Sequence, residues 1–403
     1  MKQSRRTFLS GTAGVAASLA LMPGAFAQES KRGGTMTIGA SGMRTLNSAI
    51  QPGNATGLPC AQIFAGLVEL DEKFKPQPCA AKSWEASKDG LTYHFSLVDN
   101  MQFHDGRPVT AQDVAFSINT VKAAHPFMSV MYGAVLDSTR AVDPRTVEIK
   151  LKAPFQGLLY ALSSSLTPIL PEHVFGTEPI QKHPANEKPV GSGPYKFVEW
   201  KPREYVILER NDKYFRPGRP HLDRLVLKII EDPLTRAIAL EKGEIDFMPF
   251  SFLRMTDVER LQKNAKLVVS RKGYEAIGPI NYIEMNLRAA PLDDLRVRQA
   301  IAHTIDRNFV TKYLHRGISQ RLDGPLHSSN PFYDAASVKK YDFDLVKANQ
   351  LLDAAGHARK ADGNRFQLTL DLPTFNPDSS ILVAGYMKSQ FRKVGIDIVL
   401  RPS

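Results

Sequence analysis

The sequence predicts a mixed α/β protein of two or three domains, on three observations. Its 403 residues are more than a single small hydrophobic core accommodates. Segments alternating with period two are interleaved with segments carrying a helical apolar stripe. Near the end, 366–372, 378–394 and 396–400 read as strand, helix and strand, which implies a parallel pair joined by a right-handed crossover.

The elements follow in order. Residues 35–40 form a short strand, and Pro59 opens a helix over 59–69, since proline is tolerated in a first turn. Over 91–98, Tyr93, Phe95 and Leu97 share one face of a strand. His104-Asp105-Gly106 is a turn. Thr110 then caps a helix to residue 120, with Asp113 at the capping-box position and Val114, Ile118 and Val121 on its buried stripe. A strand at 146–151, a hairpin at 195–199 and 205–210, and an apolar strand at 222–230 come next. Asp232-Pro233 opens a helix that Gly243 closes. An amphipathic helix spans 294–305, and another spans 343–355 and is stopped by Gly356.

Residues 1–27 read as a signal peptide. Ser4-Arg5-Arg6-Thr7-Phe8-Leu9 is a paired-arginine leader, Gly11 to Leu21 is apolar, and Ala25-Phe26-Ala27 is an A-x-A cleavage site. The pattern names the twin-arginine route, and the expected location is a Gram-negative periplasm. No cysteine follows the cleavage site to carry a lipid.

Cleavage removes Lys2, Arg5 and Arg6 and no acids, so the formal charge falls from +11 to +8. The remaining basic residues are scattered, without the patch that nucleic-acid binding needs. Cys60 and Cys79 are expected as two buried free thiols rather than a disulfide, although the compartment would permit one.

Catalytic constellations fail on inspection. Gly191-Ser192-Gly193 is no nucleophile elbow, because Val190 and Pro194 flank it where glycine and a helix start belong. The glycines do not follow a dinucleotide fingerprint. His303 and Asp306 are spaced to share a helix face, but no second ligand pair accompanies them. Neither cofactor nor metal is expected.

Several collinear segments carry a resemblance. They are Ile63-Phe64-Ala65-Gly66-Leu67, Lys82-Ser83-Trp84-Glu85, Asp89-Gly90-Leu91-Thr92-Tyr93-His94-Phe95 and Phe103-His104-Asp105-Gly106-Arg107-Pro108-Val109-Thr110. Further on come Pro189-Val190-Gly191-Ser192-Gly193-Pro194-Tyr195, Glu241-Lys242-Gly243-Glu244-Ile245-Asp246, Pro291-Leu292-Asp293-Asp294-Leu295-Arg296-Val297-Arg298-Gln299-Ala300-Ile301, and Ile305-Asp306-Arg307. In this order, over about residues 33–400, the chain resembles the family 5 extracellular solute-binding proteins of the oligopeptide- and dipeptide-binding type.

The resemblance implies a type II periplasmic-binding fold, with two lobes around a cleft. Residues 28–62 and 165–280 would form the first lobe, 63–164 an insertion subdomain, and 281–403 the second lobe. Members of the family continue beyond the point matching Ser403, so the second lobe is expected to be incomplete. The implied function is capture of a peptide or peptide-like solute for an ABC importer, with an inner-membrane permease as partner, by a monomer that does no covalent chemistry. Nickel, haem, opine and sugar ligands occur on similar scaffolds. Two other classes stay open: an exported hydrolase folded around a cofactor, and a periplasmic chaperone-like binder.

For the site, the resemblance points to the loop after the first strand, where Gly53 leaves backbone groups accessible, Asn54 offers donors and acceptors, and Ala55 follows. It points also to 281–286. Strand alternation there would put Tyr282, Glu284 and Asn286 on one face, with Asn286 at the cleft edge. Tyr132 is a weaker aromatic candidate, for which core packing is the competing role.

Overall fold

The computed structural model describes residues 32–249, 253–270, 280–373 and 377–402. The expected leader, with Arg5, Arg6 and the expected cleavage site, lies outside them. Strand β1 (Thr35–Ala40) turns Ile38 and Ala40 into the core. Strands β2 (Val68–Leu70) and β3 (Pro76–Pro78) make a short hairpin. Strands β4 (Ala81–Ala86), β5 (Thr92–Leu97), β6 (Leu136–Asp143) and β7 (Thr146–Leu151) form an antiparallel sheet in the order β4-β5-β7-β6. In β5 the alternation is as expected, with Phe95 and Leu97 buried, Tyr93 half-buried and His94 turned outward.

The predicted hairpin is β8 (Tyr195–Lys201) and β9 (Tyr205–Arg210). Strand β10 (Arg224–Ile229) pairs antiparallel with β9 and parallel with β1, giving the order β1-β10-β9-β8. Strands β11 (Phe366–Leu372) and β12 (Ile396–Pro402) pair in parallel, and the helix Pro377–Lys393 connects them.

Helix starts follow their capping chemistry. Thr110 and Asp113 close a reciprocal capping box at the helix Ala111–Ala124. Asp232 caps Pro233–Lys242 by accepting from the Thr235 N–H at 2.7 Å, and Gly243 ends that helix at φ 71°. Asp294 and Asp344 cap Leu295–Thr304 and Leu345–Ala354 in the same way. No helix of the described residues is long and apolar enough to cross a membrane.

Two cores dominate. The first joins Ile38, Leu208 and Leu227 to Phe95, Val114 and Ile149, so the segments expected as first lobe and insertion share one apolar interior. The second contains Val297, Ile301, Leu352, Phe391 and Ile398. Beside it the buried Arg365 donates to the Val394 carbonyl at 2.9 Å and to Asn349 Oδ1 at 3.0 Å, tying the end of the helix Pro377–Lys393 to the helix Leu345–Ala354.

Several expectations need correction. The helix expected at 59–69 runs instead from Asn54 to Ile63, with Pro59 inside it. It stops at Ile63 because the Gly193 N–H binds the Ile63 carbonyl at 2.8 Å, after which the chain extends into β2. Strand β6 escaped sequence reading: its polar outward residues and two register shifts interrupt the alternation. Residues 281–286 belong to no strand, since no neighbouring strand pairs with them among the described residues. His303 and Asp306 do not share a helix. The helix ends at Thr304, and Asp306 caps the next short helix. Cys60 and Cys79 are free and buried, as expected.

Candidate functional site

Because β1 and β10 are parallel, their C-terminal ends share one sheet edge, the edge at which open α/β sheets take ligands. The segments leaving the two strands meet there, where the Gly42 N–H donates to Glu231 Oε1 at 2.8 Å. Beyond Gly42 the chain is sunk into the protein. Asn47 Nδ2 donates to Asn186 Oδ1 at 2.9 Å, the Leu46 N–H to the Asn186 carbonyl at 2.8 Å, and Ser48 Oγ to the Ser164 carbonyl at 3.3 Å. Thr45, Asn47 and Ser48 are all buried. This anchoring leaves Gly53 and Asn54 exposed at a fixed place.

Gly53 has φ 111°, a conformation that L side chains rarely adopt, and its carbonyl accepts from the Gly57 N–H at 2.8 Å. No side chain caps the helix that begins at Asn54. The start therefore presents backbone donors and the positive end of the helix to a carboxylate or carbonyl. Behind it, the buried Thr56 Oγ1 has no partner. Ala55 is half-buried in the first turn.

In the second candidate segment, Tyr282, Glu284 and Asn286 are exposed, while Ile283 and Met285 pack on the second core. The sidedness is therefore as expected even without strand pairing. Asn286 Oδ1 accepts from the Arg288 N–H at 3.1 Å and sets a turn. No hydrogen bond among the described residues joins this segment to Gly53 or Asn54. Tyr132 is fully buried. Its hydroxyl lies 2.8 Å from Thr167 Oγ1 and 3.3 Å from the Ala161 carbonyl, so it is a core residue with no surface for a solute.

Two surface grooves lie elsewhere. One of 510 Å³ runs between the helix Ala111–Ala124 and β6, and one of 250 Å³ lies beside Arg307 and Arg321. None of the six predicted binding residues lines either.

Ser192, His104 and the two cysteines are held inside the fold. The Ser192 hydroxyl is buried without a partner, and the nearby His104 bonds the flanking glycines instead. Its Nε2–H donates to the Gly193 carbonyl at 3.1 Å and its Nδ1 accepts from the Gly191 N–H at 3.2 Å. Burial holds the imidazole neutral and pulls its pKa down to about 4. Burial pushes the Cys60 thiol up to about 12 and Cys79 up to about 11, so neither is a thiolate nucleophile. No three metal-ligating side chains converge among the described residues. What the anchored loop and uncapped helix start offer is recognition by hydrogen bonds.

The chain is 30% identical over 394 residues to the oligopeptide-binding protein AppA of Bacillus subtilis, covering 91% of this chain and 69% of the relative. The solved structure of that protein with a nonapeptide superposes with a TM-score of 0.74 at 26% identity, covering 93% of this chain and 75% of that one. The glutathione-binding protein GsiB of Shigella flexneri is 31% identical, covering 83% of this chain, which spans 62% of the relative's length. NikZ of Campylobacter jejuni, solved with Ni(L-His), matches with a TM-score of 0.77 at 28% identity, covering 92% of this chain and 74% of that one. The type II periplasmic-binding architecture expected from the sequence is the one these structures share with it. With residues 75–403 matched by the model of the bacterial extracellular solute-binding proteins, family 5 (middle), the chain belongs to that family.

Proposed function

We propose that this protein is the periplasmic solute-binding component of an ABC importer, capturing a peptide or peptide-like solute by closure of two lobes rather than by catalysis. The observation that carries the proposal is the uncapped helix start at Gly53 and Asn54, reached from the C-terminal edge of the β1–β10 pair through a segment anchored by a buried polar network. Backbone donors at a positive helix end suit a peptide's carbonyls and carboxylate. The oligopeptide and glutathione named for its relatives favour the same solute class. The nickel–histidine complex of the Campylobacter protein adds amino-acid metal complexes to the candidates.

A thermal-shift screen of residues 28–403 against di- to nonapeptides, glutathione, nickel with histidine, and sugars tests the proposal. Stabilisation by a peptide class and not by sugars is expected. A response to sugars alone would reject peptide capture.

The solute is proposed to meet both lobes, through Asn54 on one and Tyr282 and Asn286 on the other. A buried polar partner left unpaired costs about 1–3 kcal/mol. Asn54→Ala and Asn286→Ala are each expected to weaken the best peptide of the screen about tenfold by calorimetry. Unchanged affinity in both variants would remove them from the site.

Export is proposed to follow the twin-arginine route. Changing Arg5 and Arg6 together to lysine should strand the precursor in the cytoplasm, as cell fractionation would reveal. Normal periplasmic accumulation of that variant would reject the route.

A further inference from the structure

Residues 315–344, on the body built around the second core, contain neither helix nor strand, yet they are closely tied down. Arg321 binds Asp323 Oδ1 at 2.8 Å and Asp342 Oδ1 at 2.7 Å, so residues far apart in the segment are brought together. Arg307, from the short helix Arg307–Phe309, reaches Asp323 Oδ1 at 3.3 Å and also the Tyr341 carbonyl. The His303 Nδ1–H donates to the Asp342 carbonyl at 2.7 Å. A side chain added at Gly324 would touch Val338, so the two limbs run close together above this base. The segment is a loop pinned at its neck.

Two contacts lead from this loop to the other body. Phe332, still 43% exposed, sets its ring edge against Tyr160 with centroids 5.2 Å apart. Tyr160 belongs to the short helix Leu158–Ala161, whose Leu158 and Ala161 are part of the first core. At the start of the loop, Arg316 Nη1 lies 2.8 Å from Glu259 Oε2. Glu259 is on the helix Met255–Gln262, which the Arg260–Glu241 ion pair links to the helix Pro233–Lys242, and Arg236 of that helix donates to the Ile230 carbonyl, just past the end of β10, at 2.9 Å.

We propose that residues 315–344 form a strap that sets the separation of the two bodies, with Phe332 on Tyr160 and Arg316 on Glu259 as its fasteners. A pinned neck means that the loop has already lost much of its freedom, so the tip contact is not cancelled by ordering the whole segment. Both fasteners are of weak kinds, one partly exposed aromatic edge contact and one exposed ion pair. Fasteners of that strength bias an open–closed equilibrium without locking it, which suits a protein that must release what it captures.

The test uses the mature chain without solute, so its failure would leave solute capture standing. Spin labels at Lys88→Cys and Lys347→Cys, both exposed, report the distance between the bodies by pulsed electron resonance. The native cysteines are buried and escape labelling. Phe332→Ala is expected to shift the ratio of short to long distances at least about fivefold toward long, with unchanged thermal unfolding. Tyr160→Leu should give the same shift, and combining the two should add nothing further. A distance distribution unaltered by Phe332→Ala, or shifts that simply add in the double variant, would overturn the strap.

Discussion

Gly191→Ala is expected to destabilise the first body by about 4 kcal/mol, combining overpacking with lost hydrogen bonds. A Cβ at Gly191 would sit 2.0 Å from the Ile63 carbonyl oxygen and 2.7 Å from its carbon. Those are backbone atoms at the buried end of the helix Asn54–Ile63, with no flexible side chain to give way. Moving either chain would break the Gly193 bond to Ile63, the His104 N–H bond to the Gly191 carbonyl at 2.7 Å, and the Asn211 Nδ2 bond to the Gly193 carbonyl at 3.1 Å. Against a typical domain stability of about 5–15 kcal/mol, such a loss leaves little margin. Gly133→Ala is the control. Gly133 lies in the helix Met128–Val135 with open space at its Cβ, so the change should stabilise by about 0.5–1 kcal/mol. Urea unfolding at pH 7 measures both. A Gly191→Ala variant within 1 kcal/mol of the parent would mean that the junction yields easily.

This junction explains why Pro189-Val190-Gly191-Ser192-Gly193-Pro194-Tyr195 carries family resemblance without carrying chemistry. The glycines admit the end of the helix Asn54–Ile63, and their backbone holds His104 from the His-Asp-Gly turn and Asn211 from the chain after β9. Through that helix, the same junction fixes the start at Asn54 where solute is proposed to bind. A motif that identifies the fold thus acts on function by positioning.

Legibility followed locality. The Thr110–Asp113 capping box, Asp232-Pro233 with Gly243, and the apolar stripe Val114, Ile118 and Val121 were readable because each is decided within a few residues. The start of the first helix is not legible locally, because Pro59 suits a first turn and yet stands at an interior position. The structure tolerates it one turn further in, where tertiary packing outweighs the lost hydrogen bond. Strand β6 needed knowledge of β7, since its register shifts hide the period. At 281–286 the sidedness was legible and the pairing was not, because a ladder depends on a neighbour that sequence does not name. In the candidate site, Gly53 was legible as a residue that leaves backbone groups accessible, but its positive φ was not. The anchor Asn47–Asn186 joins residues distant in sequence and left no local signal.

Acidification should find its weak point at His104. A native pKa of about 4, against an ordinary value of 6.5, means that the unfolded chain takes up a proton that the folded chain refuses. The sign follows from linkage. The contribution is fully present at pH 7, erodes as the pH falls below 6.5, and is spent near pH 4, where the native imidazole also protonates. The cause is burial, and the refused proton would sit on Nδ1, where the ring accepts the Gly191 N–H and where a charged imidazolium would set two donors face to face. Between pH 7 and pH 5 this one group should remove about 2 kcal/mol of stability. His125 and His315 are shifted down by burial as well, so the total loss in the parent should exceed that of His104 alone. Comparison with His104→Gln isolates it. Glutamine keeps a donor for the Gly193 carbonyl but has no proton to gain in this range, so the variant should lose about 2 kcal/mol less than the parent over the same interval. Urea unfolding of both proteins at pH 7 and pH 5 gives the difference directly. Equal losses in parent and variant would show that His104 titrates normally in the folded protein, and the neutral imidazole would cease to explain how the junction is held.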